Sequence, residues 1–233
     1  MKKWDAGSLA ILLMAYIMGI LFGMIRQQLE SADTMIEVES QSKAQDVAWK
    51  KQVAITFDDG PNPNYTVKLL DGLKKRGVKA TFFLLGSEVE QYPEIVEAIH
   101  ENGHLIGVHS YEHVNFGQIG DAAAVEQIDR TQEAIYDVTG EYAGYIRPPY
   151  GCWKKELDTE VPMIEVLWDV DPLDWATTDA DTVVQRILSD VEDGSVILLH
   201  DASESSVQAA LTTIDILQEQ EYEFVTVEEL LLE

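Results

Sequence analysis

Beyond about residue 50, short apolar runs rich in β-branched residues alternate with stretches whose apolar positions recur every three or four residues. Val53-Ala54-Ile55-Thr56-Phe57 is the first run, a buried strand that ends in Asp58-Asp59 and a Gly60-Pro61 breaker. Tyr65 to Arg76 reads as a helix on Val67, Leu69, Leu70 and Leu73, stopped by Gly77. Ala80 to Leu85 predicts a second strand and Glu88 to Asn102 one helix, with Ile95, Val96 and Ile99 on one face. Leu105 to Val108 is a third strand, running straight into His109-Ser110-Tyr111-Glu112-His113. Asp121 is placed as the cap of a long helix reaching about Thr139. Tyr145 to Arg147 and Ile164 to Trp168 predict two further strands, and Thr182 to Val191 a helix. Ser195 to Leu199 is a strand ended by His200-Asp201, Val207 to Glu219 the last helix, and Phe224 to Val227 the last strand.

Strand then helix, repeated with short connections, predicts an α/β fold with a parallel sheet and crossover helices. Seven strands with five or six helices suit a small barrel rather than an open sheet. Gly151 to Met163 is too short for a crossover helix and carries Pro162, so a loop or one helical turn is expected there.

The pattern differs before residue 50. Lys2 and Lys3 precede a run from Ala6 to Ile25 without a charged residue, followed by Arg26. As a helix that run would span roughly 30 Å, the thickness of a bilayer's hydrocarbon core. Residues 1–26 are therefore read as a cytoplasmic stub and uncleaved membrane anchor, with a cleaved signal peptide as the competing reading. The lysines place the remainder on the extracytoplasmic side, secreted if the anchor is cleaved. Residues 27–50 are polar and aperiodic and read as a tether, leaving 51–233 as the folded domain.

Charge narrows the partners. The chain has 42 Asp and Glu against 16 Lys and Arg, a formal net charge of −26. Such a field disfavours nucleic acid and anionic lipid surfaces, and no obligate protein partner is inferred. The single cysteine, Cys152, excludes an internal disulfide.

The chemistry sits at the strand ends. Asp58 and Asp59, His109 and His113, Arg147 and Tyr150, Asp174 and Trp175, and His200 each follow a predicted strand. In a parallel barrel all those ends open on one face, where active sites of such folds lie. An isolated Asp-Asp-Gly-Pro is commonly a solvated turn, and a lone His-x-x-x-His commonly a surface pair. Together they form a His-His-carboxylate set of the catalytic metal type: Asp59 with His109 and His113, the two imidazoles expected on one helical face. Adjacent acids at a strand end diverge, so Asp58 is free to serve as general base on a water. His200, facing the site from another strand, is either a proton donor to a leaving group or a buried histidine bonded to backbone. Tyr111 and Trp153 are either sugar-stacking or packing aromatics.

These residues resemble the polysaccharide deacetylases of the NodB-homology type, carbohydrate esterase family 4, over about Gln52 to Leu232. Five motifs occur in order: Thr56-Phe57-Asp58-Asp59-Gly60-Pro61, His109-Ser110-x-x-His113, Arg147-Pro148-Pro149-Tyr150-Gly151, Asp171-Pro172-Leu173-Asp174-Trp175 and Leu198-Leu199-His200. The resemblance implies a distorted (β/α) barrel of about seven parallel strands and a divalent metal, zinc first, with cobalt or manganese as alternatives. It implies Asp58 as base and Asp59, His109 and His113 as ligands. Arg147 would pair with the base, and the Tyr150 N–H would stabilise the oxyanion. His200 would be the acid tuned by Asp174, with Trp175 and Leu198 as walls of an acetyl pocket. Val114 stands where the family usually has proline. The implied activity is removal of N-acetyl groups from N-acetylglucosamine-type sugars, with the extracytoplasmic location favouring peptidoglycan. Chitooligosaccharides or O-acetyl xylan are alternative substrates, and a non-catalytic glycan-binding scaffold is the alternative class.

Overall fold

The structure, a computed structural model, describes residues 50–232 and six earlier helical positions: Met14, Met18, Met24, Arg26, Gln27 and Gln28. The chain divides into two compact units, 1–49 and 50–233. The anchor expected over 6–25 and the tether over 27–50 lie, but for those positions and residue 50, outside the described residues. Among the described residues no helix is long and apolar enough to cross a membrane.

The sheet is built outward from β1 (Gln52–Asp58). Along one edge β1 pairs in parallel with β6 (Ser195–His200), from Val53↔Ser195 to Asp58↔His200. The other edge is shared by β2 (Thr81–Leu84), opposite residues 56–58, and β7 (Glu223–Val225), opposite residues 52–54. β3 (Leu105–Val108), β4 (Tyr145–Ile146) and β5 (Ile164–Glu165) continue from β2, giving the order β5-β4-β3-β2-β1-β6, with every pairing parallel. β5 is shorter than the expected 164–168. After it the chain leaves β4 and crosses to β6, where Val170 bridges Ile197. The sheet is parallel with crossover helices, as the strand–helix alternation predicts, and the small barrel expected is found as a curled half-barrel.

Crossovers are made by α1 (Thr66–Arg76), α2 (Gly86–Gln91), α3 (Pro93–Glu101), α4 (Asp121–Thr139), α5 (Ala180–Asp190) and α6 (Glu204–Glu219). The single helix expected over 88–102 is two, because Pro93 disfavours helical backbone at Tyr92, which sits at φ −132°, ψ 55°. α1 ends on Gly77 in left-handed geometry, as expected, whereas Val67 faces solvent. Gly120, not Asp121, precedes α4; Asp121 lies in its first turn, near the positive end of the helix dipole. Lys155–Thr159 forms the single helical turn expected between Gly151 and Met163. The last strand stops at Val225 and α7 (Val227–Leu232) follows, unanticipated. It starts from a capping box: the Thr226 hydroxyl accepts from Glu229 N, and the Glu229 carboxylate accepts from Thr226 N.

Period-two alternation assigns the two faces of β1. Val53, Ile55 and Phe57 pack under the helices in the main core. Ala54 faces the barrel interior with Phe83, Tyr145, Val166 and Val227. Above that apolar layer lie Thr56 and Arg147, both fully buried, and above them the rim carrying Asp58.

Candidate active site

The strand-end residues singled out in the sequence, Arg147 excepted, belong to one rim. A cleft of about 1110 Å³ there is lined by Asp58, Asp59, His109, His113, Tyr150, Asp174, Trp175, Leu198 and His200, among others. Arg147 lies beneath it, with no solvent exposure.

The two acids diverge, as their positions at a strand end require. Asp58 is the last residue of β1, and its Oδ1 accepts from Arg147 Nη1 at 2.8 Å. Asp59 takes left-handed backbone at φ 71°, which turns its carboxylate away from Asp58's partner. Its Oδ1 lies 3.4 Å from both His109 Nε2 and His113 Nε2. The two imidazoles do meet, but not on a helix as expected. Residues 109–113 form a loop, with Ser110 at φ 64° and His113 at φ 56°. The motif's i, i+4 spacing is therefore realised by a turn in which left-handed residues swing the rings together, their centroids 5.2 Å apart.

These three side chains fit a metal ion. Their ligand atoms lie within 4.8 Å of one another. Asp59 Oδ1 is buried and has no hydrogen-bond partner. The His109 Nδ1–H donates to the Arg147 carbonyl at 2.6 Å, which leaves the Nε2 lone pair facing Asp59. Burial lowers the His109 pKa, against the pull of Asp58 and Asp59, and so favours the neutral, ligating form. Two imidazoles, one carboxylate and an open side are a donor set of the catalytic type.

Across the cleft, His200 Nδ1 is 2.8 Å from Asp174 Oδ1, and the His200 backbone N–H donates to Asp174 Oδ2 at 2.9 Å. Its Nε2 points to the centre, 4.0 Å from Asp59 Oδ2. Burial opposes charge on this ring, but the bond to Asp174 and the nearby Asp58 and Asp59 outweigh it, and the pKa is pushed up to about 9. Tyr150, at φ 62°, presents an exposed ring edge-on to His113, and Trp175 is exposed at the opposite lip. Leu198 is buried in the floor.

Tyr111 and Trp153 prove to be packing residues. Tyr111 is buried and its hydroxyl donates to Glu90. Trp153 Nε1 donates to Asp158, and its ring meets Phe116 edge-on. Cys152 is half-buried, beside the Asn115 amide. Sequence reasoning passed over Asp201, buried behind the Asp59-Gly60 turn, where the Thr66 hydroxyl donates to it. A Cβ on Gly60 would lie 2.8 Å from Asp201 Oδ2, so only glycine fits the turn. The signal was an acid directly after His200 at a strand end, next to a residue already singled out.

A curled parallel α/β sheet that gathers a His-His-Asp donor cluster and a second carboxylate at its C-terminal rim is a barrel-type scaffold with its candidate metal site where such folds carry their active sites. The chain belongs to the polysaccharide deacetylase family, whose model matches residues 46–163. It is 40% identical over 180 residues to the peptidoglycan-N-acetylglucosamine deacetylase PgdA of Listeria monocytogenes, covering 77% of this chain and 39% of that protein. It is 41% identical over 181 residues to the peptidoglycan-N-acetylmuramic acid deacetylase PdaC of Bacillus subtilis, covering 78% and 39%. The chain thus spans about two fifths of the length of these curated relatives. The solved structure of PdaC superposes with a TM-score of 0.76 over 78% of this chain and 90% of that one. A CE4 family pseudoenzyme from Bacillus anthracis, 30% identical, superposes at 0.74 over 78% of this chain and 66% of its own.

Proposed function

We propose that this chain is a metal-dependent polysaccharide deacetylase that hydrolyses N-acetyl groups of N-acetylglucosamine-type sugars in an extracytoplasmic glycan, with peptidoglycan as first substrate. The observation that carries it is the split of the acid pair. Asp59 faces two histidines with an unpartnered buried oxygen, while Asp58 is held by a buried arginine. The extracytoplasmic location is supported by the uncharged 6–25 run after Lys2 and Lys3.

Asp59, His109 and His113 would hold the divalent ion, zinc first. When bound, that ion supplies Lewis-acid polarisation of the acetyl carbonyl. Asp58 accepts a proton from the attacking water, and the Arg147 guanidinium, bonded to Asp58 Oδ1, orients its carboxylate. The Tyr150 N–H would stabilise the developing oxyanion. His200, charged at neutral pH and steadied by Asp174, delivers a proton to the departing sugar amine. Leu198 and Trp175 border the acetyl methyl. Amide and water become acetic acid and an amino sugar: the water gives one proton to Asp58, and His200 gives one to the amine nitrogen. The proton held on Asp58 returns through solvent to His200, the acetic acid ionising to acetate once released.

The purified protein is assayed for bound metal and for acetate release from N-acetylglucosamine oligomers and from peptidoglycan. Wild type is expected to bind metal and release acetate. Asp59→Ala should lose the metal, and Asp58→Asn should keep it while activity falls by about 100-fold or more. Metal without acetate from any glycan would turn the reading to a binding scaffold, and no metal in wild type would refute the site.

A further inference from the structure

We infer that Gln127 is a positioning residue for the proposed metal ligands, its side-chain carbonyl holding the loop that carries His109 and His113. The inference rests on the metal-site reading. Ser110 and His113 both adopt left-handed backbone, which residues with a Cβ rarely do and which persists only where the surroundings fix it.

The fixing contacts come from three sides. His109 N donates to the Leu84 carbonyl at the end of β2, at 2.9 Å. The N–H groups of Gly86 and Ser87, opening α2, donate to the carbonyls of Ser110 and Tyr111 at 3.1 Å each. The third side is α4, where a single atom, Gln127 Oε1, accepts from Tyr111 N at 3.0 Å and Glu112 N at 2.9 Å. Gln127 Nε2 also donates to Glu112 Oε2 at 3.4 Å.

Movement toward α2 is blocked, since a Cβ on Gly86 would lie 2.4 Å from the Tyr111 ring. Movement away from α2 is opposed by Arg130 of α4, stacked 3.5 Å over that ring, and by Gln127. Of the two, Gln127 alone grips the backbone between the histidines. Remove its acceptor, and two adjacent N–H groups lose their partner just ahead of His113. Ligand geometry has to hold within about 0.5 Å for a site to work, so loosening of this loop reaches the metal.

The full chain, stripped with chelator, is titrated with Zn2+ against a chromophoric competitor as wild type, Gln127→Leu and Gln127→Glu. Thermal unfolding of the metal-free forms is followed alongside. Leucine keeps the bulk and loses the acceptor, whereas glutamate keeps the acceptor and is made together with Glu112→Gln throughout, so that no carboxylate pair replaces the Nε2 bond to Glu112. Gln127→Leu is expected to bind Zn2+ about 10- to 100-fold more weakly, with Gln127→Glu close to wild type. Wild-type affinity in Gln127→Leu, or equal weakening in both variants, would overturn the role. A purely structural part would lower both melting temperatures without separating the two affinities, and that too would overturn it. Hydrogen exchange on metal-free wild type decides the matter without any variant. Protected amides at Tyr111 and Glu112 support the grip, and exchange as fast as in exposed loops refutes it. Wild type that takes up no Zn2+ refutes the metal site and this inference with it. A binding wild type with an unaffected Gln127→Leu refutes only the role of Gln127.

Discussion

The guanidinium of Arg147 donates in four directions from a position with no solvent access. Nε reaches the Val166 carbonyl at 3.1 Å and Nη2 the Leu167 carbonyl at 2.9 Å. Nη1 serves both Thr56 Oγ1 at 2.6 Å and Asp58 Oδ1 at 2.8 Å. Its plane lies over the Phe83 ring, 4.2 Å from the centroid. The same side chain that pairs with the proposed base therefore also satisfies the carbonyls freed where β5 leaves β4. Arginine and lysine are not interchangeable in such a place, because an ammonium is a point donor and cannot span that fork. Arg147→Lys keeps the charge yet leaves buried acceptors unpaired. It should cost about 3 kcal/mol of stability, seen as a lower denaturant midpoint at unchanged slope. A loss under about 1 kcal/mol would show that the seam does not depend on the fork. The motif placed Arg147 beside Asp58 correctly. Its hold on Val166 and Leu167 was not legible, because nothing in a sequence says where a strand will part from its neighbour.

At the scale of elements, what could be read was what period and breakers encode. β1, β2 and β3 carry continuous apolar runs, and α1 and α4 end on Gly77 and Gly140, so their limits follow from local chemistry. Misreadings arose where a second rule overrode the first. Pro93 cut an otherwise helical pattern, and Thr226-x-x-Glu229 started a helix inside an apolar run that resembled a strand. At His109 and His113 the i, i+4 spacing resembled a helix, but tertiary bonds made a loop of it. Gln127 could not be found by motif, since its importance lies in partners brought close only by folding, whereas Asp201 carried only its place after His200 as a signal. Strand ends also hold two buried titratable groups whose effects oppose each other. Ahead of β3, His104 Nδ1 accepts from Ala80 N at 3.1 Å, and burial pushes its pKa down to about 4. A depressed histidine contributes stability that is complete above its unfolded value near 6.5 and is lost as pH falls towards 4. Just past β6, burial pushes Asp201 up to about 7, so its contribution is complete below about 4 and is lost as pH rises to 7. Relative to His104→Gln, wild type should gain up to about 3 kcal/mol between pH 4 and 7. Relative to Asp201→Asn it should lose up to about 4 kcal/mol over the same range. Denaturant melts of the three proteins at each pH check both signs, and parallel profiles would contradict both assignments.

For the molecule as a whole, the governing quantity is a net charge of −26. The proposed site itself acts on a neutral acetyl group, so this charge bears on approach to the polymer and not on the bond broken. A bacterial wall that carries anionic polymers repels such a surface over the Debye length, about 30 Å at 0.01 M salt and about 10 Å at 0.1 M. If the proposed substrate is right, the repulsion would lower the local concentration of the protein on the wall while leaving each bound encounter unaltered. Acetate release from intact walls should therefore rise as salt is raised from about 0.01 M to about 0.15 M. Release from short, uncharged N-acetylglucosamine oligomers should stay flat, because they meet no repulsion. The oligomer series serves as the control, since any effect of salt on the fold, on His200 or on the metal ligands would move both substrates together. Release from walls that falls steadily over this range, with the oligomers flat, would mean that a local cationic contact draws the polymer in.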